Sequence, residues 1–408
     1  MPGSSRPLPD PPLPDRPLPP PAPSGASAGS DAPSAPTSPA PAPPAVTDVA
    51  GLVAAGLVAT AQAPALEPVA RAFRIRLTPA MQQAIRAPGG AGVAAQFLPD
   101  LRELAPDPAG LSDPIGDEAR SPVPGLTHRY PDRVILHVTR SCAVYCRFCF
   151  RREVVGEEGM LDAGRLAEAI DYIARTPALR EVILTGGDPL VLAPRRLGTV
   201  LGRIAAIRHL ELLRIHSRIP LVAPERIDPA MLAALRPPGA PGAEAPPVWL
   251  VVHGNHPAEL TAEARAALSR LADAGIPLLS QTVLLRGVND DPDTLATLFR
   301  GFLRLRVKPY YLHHCDLARG AGHFRTTIAE GRAIMAALRG RISGTALPAY
   351  VLDLPGGHGK VPLEGGHVTT LGAGHHRIRD HQGRWHDYHD PARPDQAEST
   401  AAGITNTP

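Results

Sequence analysis

The chain is poor in aromatic residues, 4% of 408, and it has no dense basic run; its formal net charge is only +3. A nucleic-acid surface is built on lysine and arginine set against phosphate, so the balanced charge argues against one. Long hydrophobic runs are also missing. The best stretch, residues 49–65, is rich in Ala and Gly and too short to cross a bilayer comfortably. The start lacks the charged region and apolar core of a secretory signal. These absences lead us to expect a cytoplasmic protein that meets neither membrane nor nucleic acid. Cysteine is scarce, with four residues, yet three of them fall between positions 142 and 149. Such crowding is no disulfide framework, and in a reducing compartment it signals metal or redox chemistry.

Proline is abundant, 49 residues, and is concentrated at the front. Residues 1–46 are nearly all Pro, Ala, Ser, Gly and Asp, too little apolar surface to offset the entropy of ordering. A disordered tail is expected there and again over 391–408. Between them lie a helical extension over 47–125, a domain of alternating elements over 126–345 and a C-terminal segment over 346–390. Apolar, β-rich runs predict strands over 133–138, 182–184, 212–216, 248–253, 278–284, 309–312 and 350–352. Helical stretches fall between them, over 164–176, 194–207, 229–235, 261–274, 292–305 and 326–338. In one of these, Ala264, Ala267, Leu268 and Leu271 mark a single apolar face. Strands alternating with helices imply a parallel sheet with crossovers. The strands look apolar on successive positions, as when both faces are covered. Six or seven such units suggest an α/β fold, a closed or partial (β/α) barrel, with a helical N-terminal extension and disordered tails; a flat doubly wound sheet is the rival, and nothing here resembles its Gly-rich phosphate turn. Polar clusters follow several strand ends, and in such a barrel those ends form the active face.

Cys142, Cys146 and Cys149 form a C-x3-C-x2-C loop directly after the first strong strand. Three thiolates can hold three corners of a cubic iron–sulfur cluster and leave the fourth iron open, whereas a closed zinc site would want a fourth ligand. The bland alternative is a zinc loop or buried thiols. The spacing resembles that of the radical S-adenosylmethionine (SAM) superfamily. The resemblance implies a barrel of the radical SAM type, a [4Fe-4S] cluster on the cysteines and S-adenosyl-L-methionine chelated at the open iron. It places Phe148 near the adenine. It also makes Gly186 and Gly187 a close-approach motif after the second strand, with Asp188 as acceptor for the methionine amino group.

The second signal is Lys360, at the end of the glycine-rich run Pro355-Gly356-Gly357-His358-Gly359. A lysine on such a loop could swing to form a Schiff base, and it could equally be a solvated loop residue. Long matching runs decide the matter: residues 127–133, 214–220, 284–290, 308–311, 315–317 and 322–325. Over residues 47–388 the chain resembles lysine 2,3-aminomutases and their close relatives. The resemblance implies pyridoxal 5'-phosphate on Lys360, with Arg129, Tyr130 and Arg133 around its phosphate. It puts Ser217, His253 and Gln281 among the cofactor-binding residues. Arg151 would pair with the substrate carboxylate, and Asp316 and Asp353 would grip the far ammonium of lysine. The activity implied is an isomerase interconverting L-lysine and β-lysine, served by an electron donor such as flavodoxin or ferredoxin; a homo-oligomer is an open expectation. Rivals are an (R)-β-lysine-forming enzyme acting for elongation factor P, a 2,3-aminomutase for another amino acid, and a non-catalytic regulator that binds iron–sulfur or pyridoxal groups. A zinc-binding C-terminal cysteine cluster found in some relatives is missing here, and the tail histidines at 375, 376, 381, 386 and 389 fit no compact ligand set.

Overall fold

A computed structural model describes residues 44–156, 159–239, 242, 244–366, 368–372, 375–380 and 383–389. The tails expected to be disordered lie outside the described residues, except that Val46 already pairs with Leu77 in an isolated bridge. The N-terminal part carries four helices: α1 (Val49–Ala54), α2 (Ala63–Ala72), α3 (Pro79–Arg86) and α4 (Ala91–Phe97). Local chemistry sets their starts. Asp48 accepts from the Gly51 amide at α1, and Thr78 caps α3 with Pro79 just inside it.

Then comes a nine-stranded sheet whose spatial order follows the chain. Its strands and helices are β1 (Leu126–Tyr130), β2 (Arg133–Thr139), α5 (Ala163–Ala174), β3 (Glu181–Gly186), α6 (Pro194–Ala205) and β4 (Leu212–Ser217). They continue through α7 (Ile219–Val222), α8 (Pro229–Ala234), β5 (Val248–His253), α9 (Ala262–Asp273), β6 (Leu278–Leu284) and α10 (Pro292–Arg304). The set ends with β7 (Val307–His314), α11 (Ile328–Leu338), β8 (Ala349–Leu354) and β9 (Gly359–Pro362). Strands β2 to β8 are parallel, as helical crossovers require, while β1 and β9 are antiparallel to their neighbours. The two outer strands approach one another, because the Lys360 amide donates to the Tyr130 hydroxyl at 2.8 Å. The result is a nearly closed, barrel-like sheet.

Two sequence expectations change here. The strands are not covered alike on both faces. In β4 the buried Leu213, Ile215 and Ser217 alternate with Arg214 and His216, which face an internal cavity. The apolar core therefore lies between the outside of the sheet and the helices, including Leu268, Leu271, Phe299 and Phe302. In addition, Lys360 is not on a free loop. The glycines make the turn of a β8–β9 hairpin, and Lys360 is paired in register with Asp353. A separate antiparallel sheet, β10 (Val368–Gly372), β11 (His375–Arg379) and β12 (Trp385–His389), follows and leaves Trp385 and Tyr388 exposed. Among the described residues no helix is long and apolar enough to cross a membrane.

Candidate active site

The inside of the sheet encloses a cavity of about 800 Å³, within the range of small-molecule sites. All the residues singled out above line it: the three cysteines, Phe148, Gly186, Gly187, Asp188, Ser217, His253, Gln281, Arg129, Tyr130, Arg133, Arg151, Asp316, Asp353 and Lys360. Residues separated by more than 200 positions in sequence thus share one space.

The cysteine loop leaves the end of β2 and is fixed from both sides. Tyr145 and Arg147 donate their backbone N–H groups to Arg76 O and Gln96 O of the N-terminal helical part, at 3.0 and 2.8 Å. Arg147, between two of the cysteines, points away from the cavity and is fully buried. Its guanidinium grips Glu103 at 2.8 and 2.6 Å, and Arg152 contacts the same carboxylate. Burial pushes all three thiols up, Cys149 to about 11. Buried thiolates therefore call for a compensating cation, which iron supplies. The Arg218 guanidinium already stands 2.8 Å from Cys146 Sγ, and Arg218 is held in turn by Glu259 and Gln96. In a cubic cluster each thiolate binds a different iron, so the sulfurs need not meet at a point. Among the described residues no three ligand-type side chains do so.

The two glycines after β3 lie flat on the start of this loop. Gly187 and Asp188 donate backbone N–H groups to Thr139 O and Ser141 O at 2.6 and 2.9 Å. A Cβ on Gly187 would overlap the Ser141 carbonyl. Asp188 is also tied into the fold. Its oxygens accept from the Ser217 hydroxyl and from the Leu190, Arg218 and Ile219 amides. Asp188 is thus the joint between the ends of β3 and β4 while it lines the cavity; the Ile219 amide is nearer the Ser217 hydroxyl, at 3.0 Å. By contrast, His253 Nε2 is buried without a partner beside the Phe148 ring, 5.8 Å between centroids.

At the other end, the Lys360 ammonium contacts Asp353 Oδ2. Burial alone would raise the Asp353 carboxyl, but the His313 ring beside it and the Lys360 charge outweigh it and hold it well below the usual carboxylate range. Asp316 has the opposite fate. Burial, then repulsion from Asp353, pushes its carboxyl up to about 7, and its Oδ1 has no partner. A site with one spare buried carboxylate fits an incoming cation. Arg133 stacks over the Tyr130 ring at 3.8 Å. Arg129 reaches Ile115 O at 2.7 Å, while its Nε is buried without a partner.

Sequence reasoning missed Asp117, whose carboxylate joins Arg151 at 2.6 Å and Arg129 at 3.1 Å. No motif marks it. Backbone packing brings it in, because Gly116 lies against Gly357 so closely that a Cβ there would overlap the hairpin turn. It also missed His313, and the anchoring of Arg147 by Glu103.

The radical SAM superfamily model matches residues 136–299, and a lysine-2,3-aminomutase model matches residues 335–407. An L-lysine 2,3-aminomutase of Fusobacterium nucleatum is 42% identical over 300 residues, covering 73% of this chain and 69% of the relative. That of Clostridium subterminale is also 42% identical, covering 73% and 70%. A glutamate 2,3-aminomutase of Clostridioides difficile is 37% identical, covering 70% and 66%. With the family come its three cofactors, a [4Fe-4S] cluster, S-adenosyl-L-methionine and pyridoxal 5'-phosphate, and the cavity supplies thiols, an amine and unpartnered polar atoms suited to them. The chain is a radical SAM aminomutase, an isomerase, and it belongs to the lysine 2,3-aminomutase family.

Proposed function

We propose that this enzyme interconverts L-lysine and β-lysine by moving the amino group between carbons 2 and 3. The observation that carries the choice of substrate is the carboxylate pair, Asp316 and Asp353, on the cavity that also holds the three cysteines and Lys360. When bound, the cofactors supply a carbon-centred radical to take hydrogen from the β-carbon and an aldehyde to carry the migrating nitrogen.

The protein's task is to hold and to exclude. Cys142, Cys146 and Cys149 ligate the cluster on a loop braced by Arg147 and Glu103. Gly186 and Gly187 let the backbone approach S-adenosyl-L-methionine, Phe148 and His253 flank its adenine, and Asp188 with Ser217 keeps those glycines in place. Lys360 provides the amine for pyridoxal phosphate. Arg129, Tyr130 and Arg133 surround its phosphate, and Gln281 stands on the wall between the two cofactors. Arg151, whose Nε and Nη2 are held by Asp117, keeps the other edge of its guanidinium for the substrate carboxylate, fixing its direction as well as its charge. Asp316 and Asp353 receive the far ammonium. A glutamate side chain would bring a third carboxylate to that pair, and like charges disfavour it by several kcal/mol per close pair at intermediate dielectric, about 4 at 4 Å.

A flavodoxin or ferredoxin as electron donor, a cytoplasmic location and a homo-oligomer complete the reading. The test is to incubate the anaerobically reconstituted enzyme with a panel of amino acids and look for β-isomers by chiral chromatography with mass spectrometry. β-Lysine as the favoured product supports the proposal; turnover of glutamate in preference to lysine contradicts it.

A further inference from the structure

An ammonium group has three N–H donors and no acceptor, so a dedicated ammonium subsite wants three acceptors. Asp316 and Asp353 supply two. The structure itself shows what gathers around one ammonium beside this pair, that of Lys360. Its Nζ contacts Asp353 Oδ2 and stands 3.5 Å from His313 Nδ1. That same His313 Nδ1 is 3.3 Å from Asp353 Oδ2, and the imidazole is only 16% exposed. Asp316, with its orphaned Oδ1, feels both Asp353 and Lys360.

His313 sits on β7 in register with Val351 of β8, two residues before Asp353. The alternation along β7 sends His313 to the cavity, while its neighbour His314 turns to the Tyr350 hydroxyl at 2.7 Å. Around the His313 ring stand Lys360, Asp353 and the Tyr311 ring, and a charge on it is felt by His216 and His253. Burial first, then the Lys360 charge, favours the neutral ring, and Asp353 opposes them. A neutral ring with its proton on Nε2 leaves Nδ1 as an acceptor. Two acceptors 3.3 Å apart are then bridged by one cation.

We propose that His313 is a specificity-determining residue for the substrate: its Nδ1 is the third acceptor that, with Asp316 and Asp353, completes a subsite for the far ammonium of the amino acid. A substrate ammonium takes the place that Lys360 holds in the free protein. The inference rests on the lysine reading given above.

The test uses holoenzyme carrying cluster and pyridoxal phosphate, without S-adenosyl-L-methionine, titrated with amino acids while the pyridoxal absorbance is followed. The probes are L-lysine and L-norleucine, which is lysine without its far nitrogen. Wild type is expected to prefer lysine. His313→Leu is expected to lose lysine affinity by about tenfold or more, the scale of one hydrogen bond to a charged group, with norleucine unchanged. His313→Gln, whose amide oxygen can accept, is expected to recover most of the loss. Unaltered lysine affinity in His313→Leu overturns the proposal, as does an equal loss for both ligands, which marks a merely structural role. Norleucine also reports whether each variant keeps a folded site. A wild type that does not prefer lysine sinks the lysine reading itself, an outcome distinct from the other two.

Discussion

Replacing Asp316 with Asn should make the cofactor-free protein more stable and its lysine binding worse. The carboxyl sits in a desolvated pocket with an unpartnered oxygen, and burial with Asp353 nearby moves it from 3.8 to about 7. Each pH unit of displacement is about 1.4 kcal/mol, so ionised Asp316 costs the free fold on the order of 4 kcal/mol. The folded state holds this proton more tightly than the unfolded state, so stability falls as pH rises from about 4 to 7 and stays low above it. Asn removes the charge but keeps an unsatisfied polar group, so the net gain should be smaller, about 1–3 kcal/mol. The assay is urea unfolding of both proteins at pH 8 and pH 5. Asp316→Asn should exceed wild type at pH 8, and the gap should shrink at pH 5, where wild-type Asp316 is mostly protonated. A gap of the same size at both pH values would refute the reasoning. So would a variant that loses stability at pH 8.

Three further outcomes follow from other parts of the site. Replacing Cys142, Cys146 and Cys149 together by Ala should abolish the iron and sulfide content of reconstituted protein while far-ultraviolet circular dichroism stays unchanged; retained cluster would remove them as ligands. Glu103→Gln strips the charge from a carboxylate shared by buried Arg147 and Arg152. It should lower unfolding stability by about 3–5 kcal/mol, measured by denaturant titration, and a loss under about 1 kcal/mol would mean that the pair does not brace the loop. Gly187→Ala places a methyl on the Ser141 carbonyl; calorimetric binding of S-adenosyl-L-methionine should weaken, and unchanged affinity would deny the close approach.

Much of the barrel was legible because parallel strands and amphipathic helices announce themselves by period. The runs at 248–253 and 278–284 match β5 and β6 end for end. What failed was the inner face. Apolar neighbours on β4 suggested two covered sides, yet Arg214 and His216 belong to the cavity wall, and only the curvature of the whole sheet creates that wall. The candidate residues were found through motifs and family likeness, and they do share one cavity. Lys360 was read as a swinging loop residue, because three glycines in the run mask a short antiparallel strand whose pairing depends on a distant register with Asp353. Asp117 was invisible, since an aspartate in a turn looks like any other until Gly116 packs on Gly357 and brings it between two arginines. Asp188 stands where its motif placed it, and the backbone donors that also hold it are brought there only by the fold.

The most direct measurement follows the nitrogen. Lysine carrying ¹⁵N at the α-amino group and ¹³C at carbon 3 is given to anaerobically reconstituted enzyme with S-adenosyl-L-methionine, pyridoxal phosphate and a reductant. The expected result is a new one-bond ¹³C–¹⁵N coupling at carbon 3, lost when Lys360 is replaced by Ala. A fully loaded, folded enzyme that leaves the label at carbon 2, or that moves nitrogen equally well without Lys360, contradicts the joint use of the cysteine loop and this lysine in one cavity.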